Sequence, residues 1–237
     1  AGAAHELRTP VASLKAAIQA ARRTPREPEN DTALLASLEC ETERLEALCE
    51  QLLLCAGEET DSGGETISLR QLAEELEETV RRMRPLAEAA GARVEWIPPA
   101  AQTGDPLLRG SRFAVQRIAG NLLANAIQHG GPGVHVRISL EAAGQGARAT
   151  FEDDGAGIAE EFRARLFERF FRADPSRSRA QGGTGLGLAI SRELARAWGG
   201  ELLYAKPAQR GACFQWTLAA APEGASGAIH ESSPHGK

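Results

Sequence analysis

The sequence predicts a helical hairpin that pairs with a second copy into a four-helix bundle, followed by an α/β domain. Three observations carry this. The first sixty residues hold two apolar stripes at helical spacing. Beyond a polar, glycine-containing segment, strand-like and helix-like rhythms alternate. The chain has 237 residues, 42% hydrophobic and 25% charged, an ordinary composition with enough length to bury two modest cores.

In the first stripe Leu7, Val11, Leu14, Ile18 and Ala21 recur at alternating four- and three-residue intervals, one seam of an amphipathic helix. Thr24-Pro25 and Glu27-Pro28 break it, and Asn30 or Asp31 can cap a second helix. There Leu35, Leu38, Thr42, Leu45, Cys49 and Leu52 repeat the rhythm, with Leu34, Leu48 and Cys55 widening the stripe. Two helices cannot bury stripes this wide on each other alone, so a homodimeric bundle is expected.

Residues 57–64 read as a linker. A short strand is expected near Thr66 to Leu69, a helix from about Arg70 to Ala90, and a strand near Val94 to Ile97, with Pro98 to Pro106 as loop. A helix from about Ser111 to His129 ends at Gly130-Gly131-Pro132-Gly133. Val134 to Leu140 and Arg148 to Asp153 alternate like a hairpin joined by Gly144-Gln145-Gly146. A short helix near Glu160 to Phe170 follows, then an irregular stretch from Arg172 to Gly183 and a helix from Leu186 to Trp198. Glu201 to Ala205 and Ala212 to Leu218 close a strand pair, and 223–237 read as a disordered tail.

Composition excludes several classes. Net charge is −5 and pI about 5.7, so general nucleic-acid affinity is not expected, although 163–179 is locally rich in arginine. No apolar run approaches the ~20 residues of a membrane helix, so no direct membrane contact is expected. Cys40, Cys49, Cys55 and Cys213 lack metal or disulfide-framework spacing and read as small core residues in a reducing cytoplasm, with a redox switch through Cys40 or Cys49 as the lesser alternative. The opening at Ala1, four residues before the first chemical motif, suggests a cytoplasmic piece of something longer.

That motif is His5-Glu6-Leu7-Arg8-Thr9-Pro10. His5 flanks the apolar stripe instead of lying in it, and Thr9 stacks one turn away. A neutral imidazole exposed to an outside donor can accept a phosphoryl group, and the neighbouring Glu6 carboxylate can take the other ring proton. The plainer alternative for Thr9-Pro10 is a simple helix kink. On the later helix Arg117, Asn121, Asn125 and Gln128 share a narrow sector opposite Val115, Leu122, Leu123, Ala126 and Ile127. Asparagine is a mediocre helix former, and carboxamide oxygens can hold Mg²⁺ beside phosphates without adding anionic repulsion. A solvated polar face is the competing explanation.

Asp153-Asp154-Gly155-Ala156-Gly157 follows a strand. Its glycines permit a sharp turn and close approach, and the Asp153 carboxylate can accept from an exocyclic amine, although alone this would be an ordinary turn. Gly183-Thr184-Gly185-Leu186-Gly187-Leu188 then opens a helix, where backbone N–H groups hold phosphates. It is neither a Rossmann fingerprint, because it lies late and lacks a following ribose-binding acid, nor a P-loop, because no Gly-Lys-Ser/Thr is present.

In this order the segments resemble the catalytic core of two-component sensor histidine kinases. The resemblance spans roughly residues 1 to 220. It implies a dimerisation and phosphoacceptor domain at 1–56, and an ATP-binding α/β sandwich with a mixed sheet at 65–222, shared with gyrase, the Hsp90 chaperones and MutL. His5 matches the phosphorylated histidine, Glu6 its acid–base partner, and Thr9 the polar residue that positions water for dephosphorylating the regulator. Asn121 and Asn125 match the N-box, with Asn125 as Mg²⁺ ligand. Asp153, with Gly155 and Gly157, matches the adenine-reading box. Phe167-Glu168-Arg169-Phe170-Phe171-Arg172 resembles the F-box, and Gly183 to Leu188 the second glycine box. About 172–182 would form the lid over ATP, with Arg172 meeting the γ-phosphate. Gln128 departs from a commonly basic position and Ser111 from an often acidic one, the latter as a cap. The implied cofactors are ATP and Mg²⁺, and the implied partners a second copy and a response-regulator receiver domain. The full-length protein would be anchored in the bacterial inner membrane. Two rivals stand beside this: an ATP-operated clamp of the gyrase type, disfavoured because Asn121 stands where those relatives carry a glutamate base, and a non-catalytic scaffold.

Overall fold

The computed structural model describes residues 65–100, 104–169, 171–172, 185–208 and 210–222, together with Lys15, Ile18, Gln19 and Leu38, which are helical. The expected hairpin and its bundle otherwise lie outside the described residues. Two compact units divide the chain, one of Ala1–Thr60 with Glu160–Ile190, the other of Asp61–Ala159 with Ser191–Lys237.

The second unit opens with β1 (Thr66–Ser68), which pairs antiparallel with β3 (Leu107–Arg109). Helix α1 (Leu69–Ala89) begins at a capping box: Ser68 Oγ accepts from the Gln71 N–H, and Gln71 Oε1 from the Ser68 N–H. The main sheet has the order β2-β4-β5-β7-β6, comprising β2 (Arg93–Ile97), β4 (His135–Ala143), β5 (Gly146–Asp153), β7 (Cys213–Leu218) and β6 (Glu201–Ala205). β2 and β4 run parallel and every other pair is antiparallel, so the sheet is mixed as expected. A parallel pair needs a crossover, and helix α2 (Arg112–Gly130) supplies it.

Helices α1 and α2 pack on each other, α1 against β2 and α2 against β4 and β5. Leu72, Leu76, Val115, Ile118, Leu122 and Leu123 are essentially inaccessible there. Such a side chain contributes about 1.5–3 kcal/mol when buried. The period-2 rhythm decides what the sheet turns inward: Ala147, Ala149, Phe151 and Asp153 of β5 are buried, alternating with Arg148, Thr150 and Glu152. Asp153 thus ends a strand in the buried phase.

Glu75 of α1, only 3% exposed, accepts from Arg112 Nε at 2.6 Å and Gln116 Nε2 at 2.7 Å, fixing the start of α2. Arg112→Ala leaves that buried carboxylate without a cation, held by Gln116 alone, and should lower unfolding free energy by about 1.5–3 kcal/mol, whereas Glu75→Gln, which keeps a hydrogen-bonding group, should lower it less. Urea titration of the two variants checks the order.

The elements differ from expectation in three places. β3 was not anticipated; it is three residues long, too short for alternation to register. Leu69 opens α1 instead of closing β1, because Ser68 caps there. In the first unit the helix expected from Glu160 to Phe170 stops as α3 (Glu160–Arg163). Successive i to i+3 bonds (Arg165 N–H to Phe162 C=O, Glu168 N–H to Arg165 C=O, Phe171 N–H to Glu168 C=O) carry the chain on as turns. Helix α4 (Gly187–Ala197) follows, and the boundary between the units falls within it.

Cys213 behaves as the small core residue expected of it, 4% exposed, with burial and the Glu152 and Asp153 carboxylates pushing its thiol up to about 11. With about one thiol in a thousand ionised near pH 8, Cys213 should resist iodoacetamide until the protein unfolds, as peptide mass mapping would reveal. The other three cysteines lie outside the described residues.

Candidate nucleotide site

Ser111 caps α2, its Oγ accepting from the Ala114 N–H at 3.2 Å, which is the capping role its sequence position suggested. Eight buried apolar positions, among them Val115, Leu122 and Ile127, turn the opposite sector outward. That sector carries Arg117, Asn121 and Asn125, all half-buried, and the exposed Gln128. Asn121 Nδ2 donates to Ser191 Oγ at 3.2 Å. The Asn125 carboxamide has no hydrogen-bond partner among the described residues, so its oxygen is available to a cation.

At the end of β5, Asp153 is 8% exposed. Its Oδ1 accepts from the Gly155 N–H at 3.0 Å and the Ala212 N–H at 3.2 Å, while Oδ2 has no partner among the described residues. Burial raises its pKa above the ordinary 3.8; the two backbone N–H donors oppose this, and Asp154 and Glu152 add to it. The backbone locks the group in place: Asp153 N–H donates to Ala212 C=O at 2.9 Å, and Asp154 Oδ1 accepts from the His135 N–H at 2.8 Å.

The two glycines earn their places through packing. A Cβ on Gly155 would strike the backbone of Gly130 at the end of α2. Gly157 has φ 75°, and a Cβ there would lie 2.7 Å from the Gly211 carbonyl oxygen. Sequence reasoning missed Gly211 and Ala212, which supply the wall and one donor; a glycine just ahead of a closing strand was the available signal. It also missed Ser191, a lone hydroxyl on the apolar face of a helix.

In the other unit Gly185 has φ 72°, Leu186 is buried, and Gly187 and Leu188 open α4. A helix opening of this kind favours anions through its dipole. Arg172 carries a buried Nη2 with no hydrogen-bond partner among the described residues. Phe171 beside it is held between the Phe162 ring, centroids 5.9 Å apart, and the Arg165 guanidinium at 4.5 Å. His5, Glu6, Thr9, Phe170, Gly183 and Thr184 lie outside the described residues.

Residues 110–222 match the family model described as histidine kinase-, DNA gyrase B- and HSP90-like ATPase, which gives the class of the α/β domain. Residues 1–61 match the His Kinase A (phospho-acceptor) domain. The sensor histidine kinase RppB of a Synechocystis species is 35% identical over 216 residues, covering 90% of this chain and 47% of that protein. Among solved structures, the mycobacterial sensor histidine kinase MprB is similar with TM-score 0.53 and 28% identity over 67% of this chain and 99% of that one. The Acinetobacter baumannii histidine kinase AdeS shares the fold, with TM-score 0.62 at 22% identity over 91% and 97% of the two chains. The chain belongs to the sensor histidine kinase family and carries its catalytic core, a phosphoacceptor region followed by an ATP-binding domain. It spans about half the length of the relatives it matches. No described helix is long and apolar enough to cross a membrane.

Proposed function

We propose that this chain phosphorylates itself on His5 from ATP and passes the phosphoryl group to an aspartate on a response-regulator receiver domain. The observation that carries the reading is Asp153: a buried carboxylate with one oxygen held by two backbone N–H groups and the other open to an amine donor. That suits an adenine amino group, whose donated hydrogen bond offsets the desolvation that raises the Asp153 pKa. The half-buried carboxamide of Asn125, without a hydrogen-bond partner among the described residues, fits Mg²⁺, an oxygen-seeking ion that retains much of its water, and Asn121 one turn earlier belongs to the same site. When bound, Mg²⁺ would neutralise charge on the phosphates.

Gly183 to Leu188 would bind phosphate oxygens at the start of α4. The buried Nη2 of Arg172, without a partner among the described residues, suits the γ-phosphate. One ring nitrogen of His5 attacks the γ-phosphorus, the bond to the β,γ-bridging oxygen breaks, and ADP leaves. Glu6 takes the proton from the other ring nitrogen, and the phosphohistidine N–P bond later breaks as the regulator aspartate attacks. Thr9 would position a water that hydrolyses the regulator's phosphoaspartate, releasing inorganic phosphate and restoring the free carboxylate. Residues 1–56 would form the dimerisation and phosphoacceptor domain, working as a homodimer on the cytoplasmic side of a membrane-anchored protein, with 65–222 as the catalytic domain. An ATP-hydrolysing clamp fits less well, because the Asn121 carboxamide cannot act as a base.

Incubation with γ-labelled ATP and Mg²⁺ tests the reading. Acid-labile, alkali-stable label on the chain is expected; steady phosphate release with no phosphoprotein would overturn it.

A further inference from the structure

On the inward face of α4, Ala189, Ile190, Leu194 and Ala195 are buried. Ser191 sits among them with 0% exposure. A hydroxyl in such a place is destabilising unless it is hydrogen-bonded, and alanine would fit the same space. Its bond is to the Asn121 carboxamide, 70 residues away in sequence and on another helix.

The direction of that bond matters. A carboxamide has a donor end and an acceptor end. Because Asn121 Nδ2 donates to Ser191 Oγ, the Asn121 oxygen, on the same carbon, is turned away from Ser191. A magnesium ion, or the water it carries, is served by the oxygen and repelled by the N–H₂.

We propose that Ser191 is a positioning residue for the magnesium–phosphate end of the nucleotide site, acting through Asn121 by anchoring its side chain in one rotamer. The assignment rests on the nucleotide site proposed above. It predicts an effect confined to the magnesium-dependent part of binding. The adenine end, anchored by Asp153, should not sense the change.

The test measures binding of a non-hydrolysable ATP analogue to the full chain, with Mg²⁺ and again in EDTA. Ser191→Ala should weaken magnesium-dependent binding roughly three- to tenfold, the range one hydrogen bond supports. Affinity in EDTA should hold, which also reports that the variant is folded. Ser191→Cys, similar in volume but a weaker acceptor, should fall between. In a double-mutant cycle Ser191→Ala should add nothing to Asn121→Ala. Equal loss with and without Mg²⁺, or additive losses in the cycle, would overturn the assignment by marking Ser191 as a packing residue. A wild type that binds while Ser191→Ala matches it overturns the assignment alone. A wild type that binds no nucleotide overturns the underlying site and this role with it.

Discussion

His5→Gln should abolish acid-labile label from γ-labelled ATP while leaving nucleotide affinity unchanged. Glutamine approximates the reach of the imidazole but offers a carboxamide nitrogen whose lone pair is delocalised and does not attack phosphorus. No other role falls to His5, because base recognition, magnesium and phosphate contacts are assigned to residues at 121 and beyond. A chain that still accumulates phosphohistidine after this change has another acceptor, and the assignment of the first motif fails. Loss of label accompanied by loss of nucleotide binding would instead point to collapse of the domain. Glu6→Gln offers a graded companion: label should form slowly, and the deficit should shrink as pH rises and the imidazole proton is lost more readily.

Much of this site was legible before any coordinates, for identifiable reasons. Asn121 and Asn125 stood out because asparagine is poor in a helix and the two recur one turn apart, opposite a continuous apolar face; α2 has that face. Asp153 stood out through the glycines after it; Gly157, at φ 75°, does make a turn, and packing adds a second reason for both. Gly155 and Gly157 make room for Gly130 and Gly211, and through them the backbone that holds the carboxylate. That packing is between segments some 25 and 54 residues apart in the sequence, beyond the reach of any local pattern. The Ala212 N–H was illegible for a related reason, since a backbone donor carries no side-chain signature. Strand order was equally hidden: the alternation of β5 and β7 gave the strands but not their adjacency. The turns after α3 replaced an expected helix because helical spacing over four to ten residues also describes a chain of i to i+3 turns.

Asp153→Asn should weaken nucleotide binding between about tenfold and a hundredfold, the value of one hydrogen bond to a charged acceptor. The asparagine oxygen can keep the N–H bonds from Gly155 and Ala212, which leaves its N–H₂ where Oδ2 stood. Donor then faces donor at the adenine amine. The fold should not suffer. Asp153 has a raised pKa, so the folded chain holds its proton to higher pH than the unfolded chain does. Stability therefore falls as pH rises from near 3.8 through the raised folded value, and the penalty persists above it. Removing the charge should make the variant as stable as the wild type or more so at neutral pH, so lost affinity cannot be ascribed to unfolding. Binding carries the opposite dependence. An amine donor favours the ionised carboxylate, so wild-type affinity should rise with pH through that window, with proton release, and then level off. The nucleotide titrates there too, but its protonation is common to both proteins and cancels in their difference. Calorimetry in buffers of different ionisation enthalpy reads the released proton directly. A wild-type minus variant difference that stays flat with pH would mean that Asp153 does not receive the base.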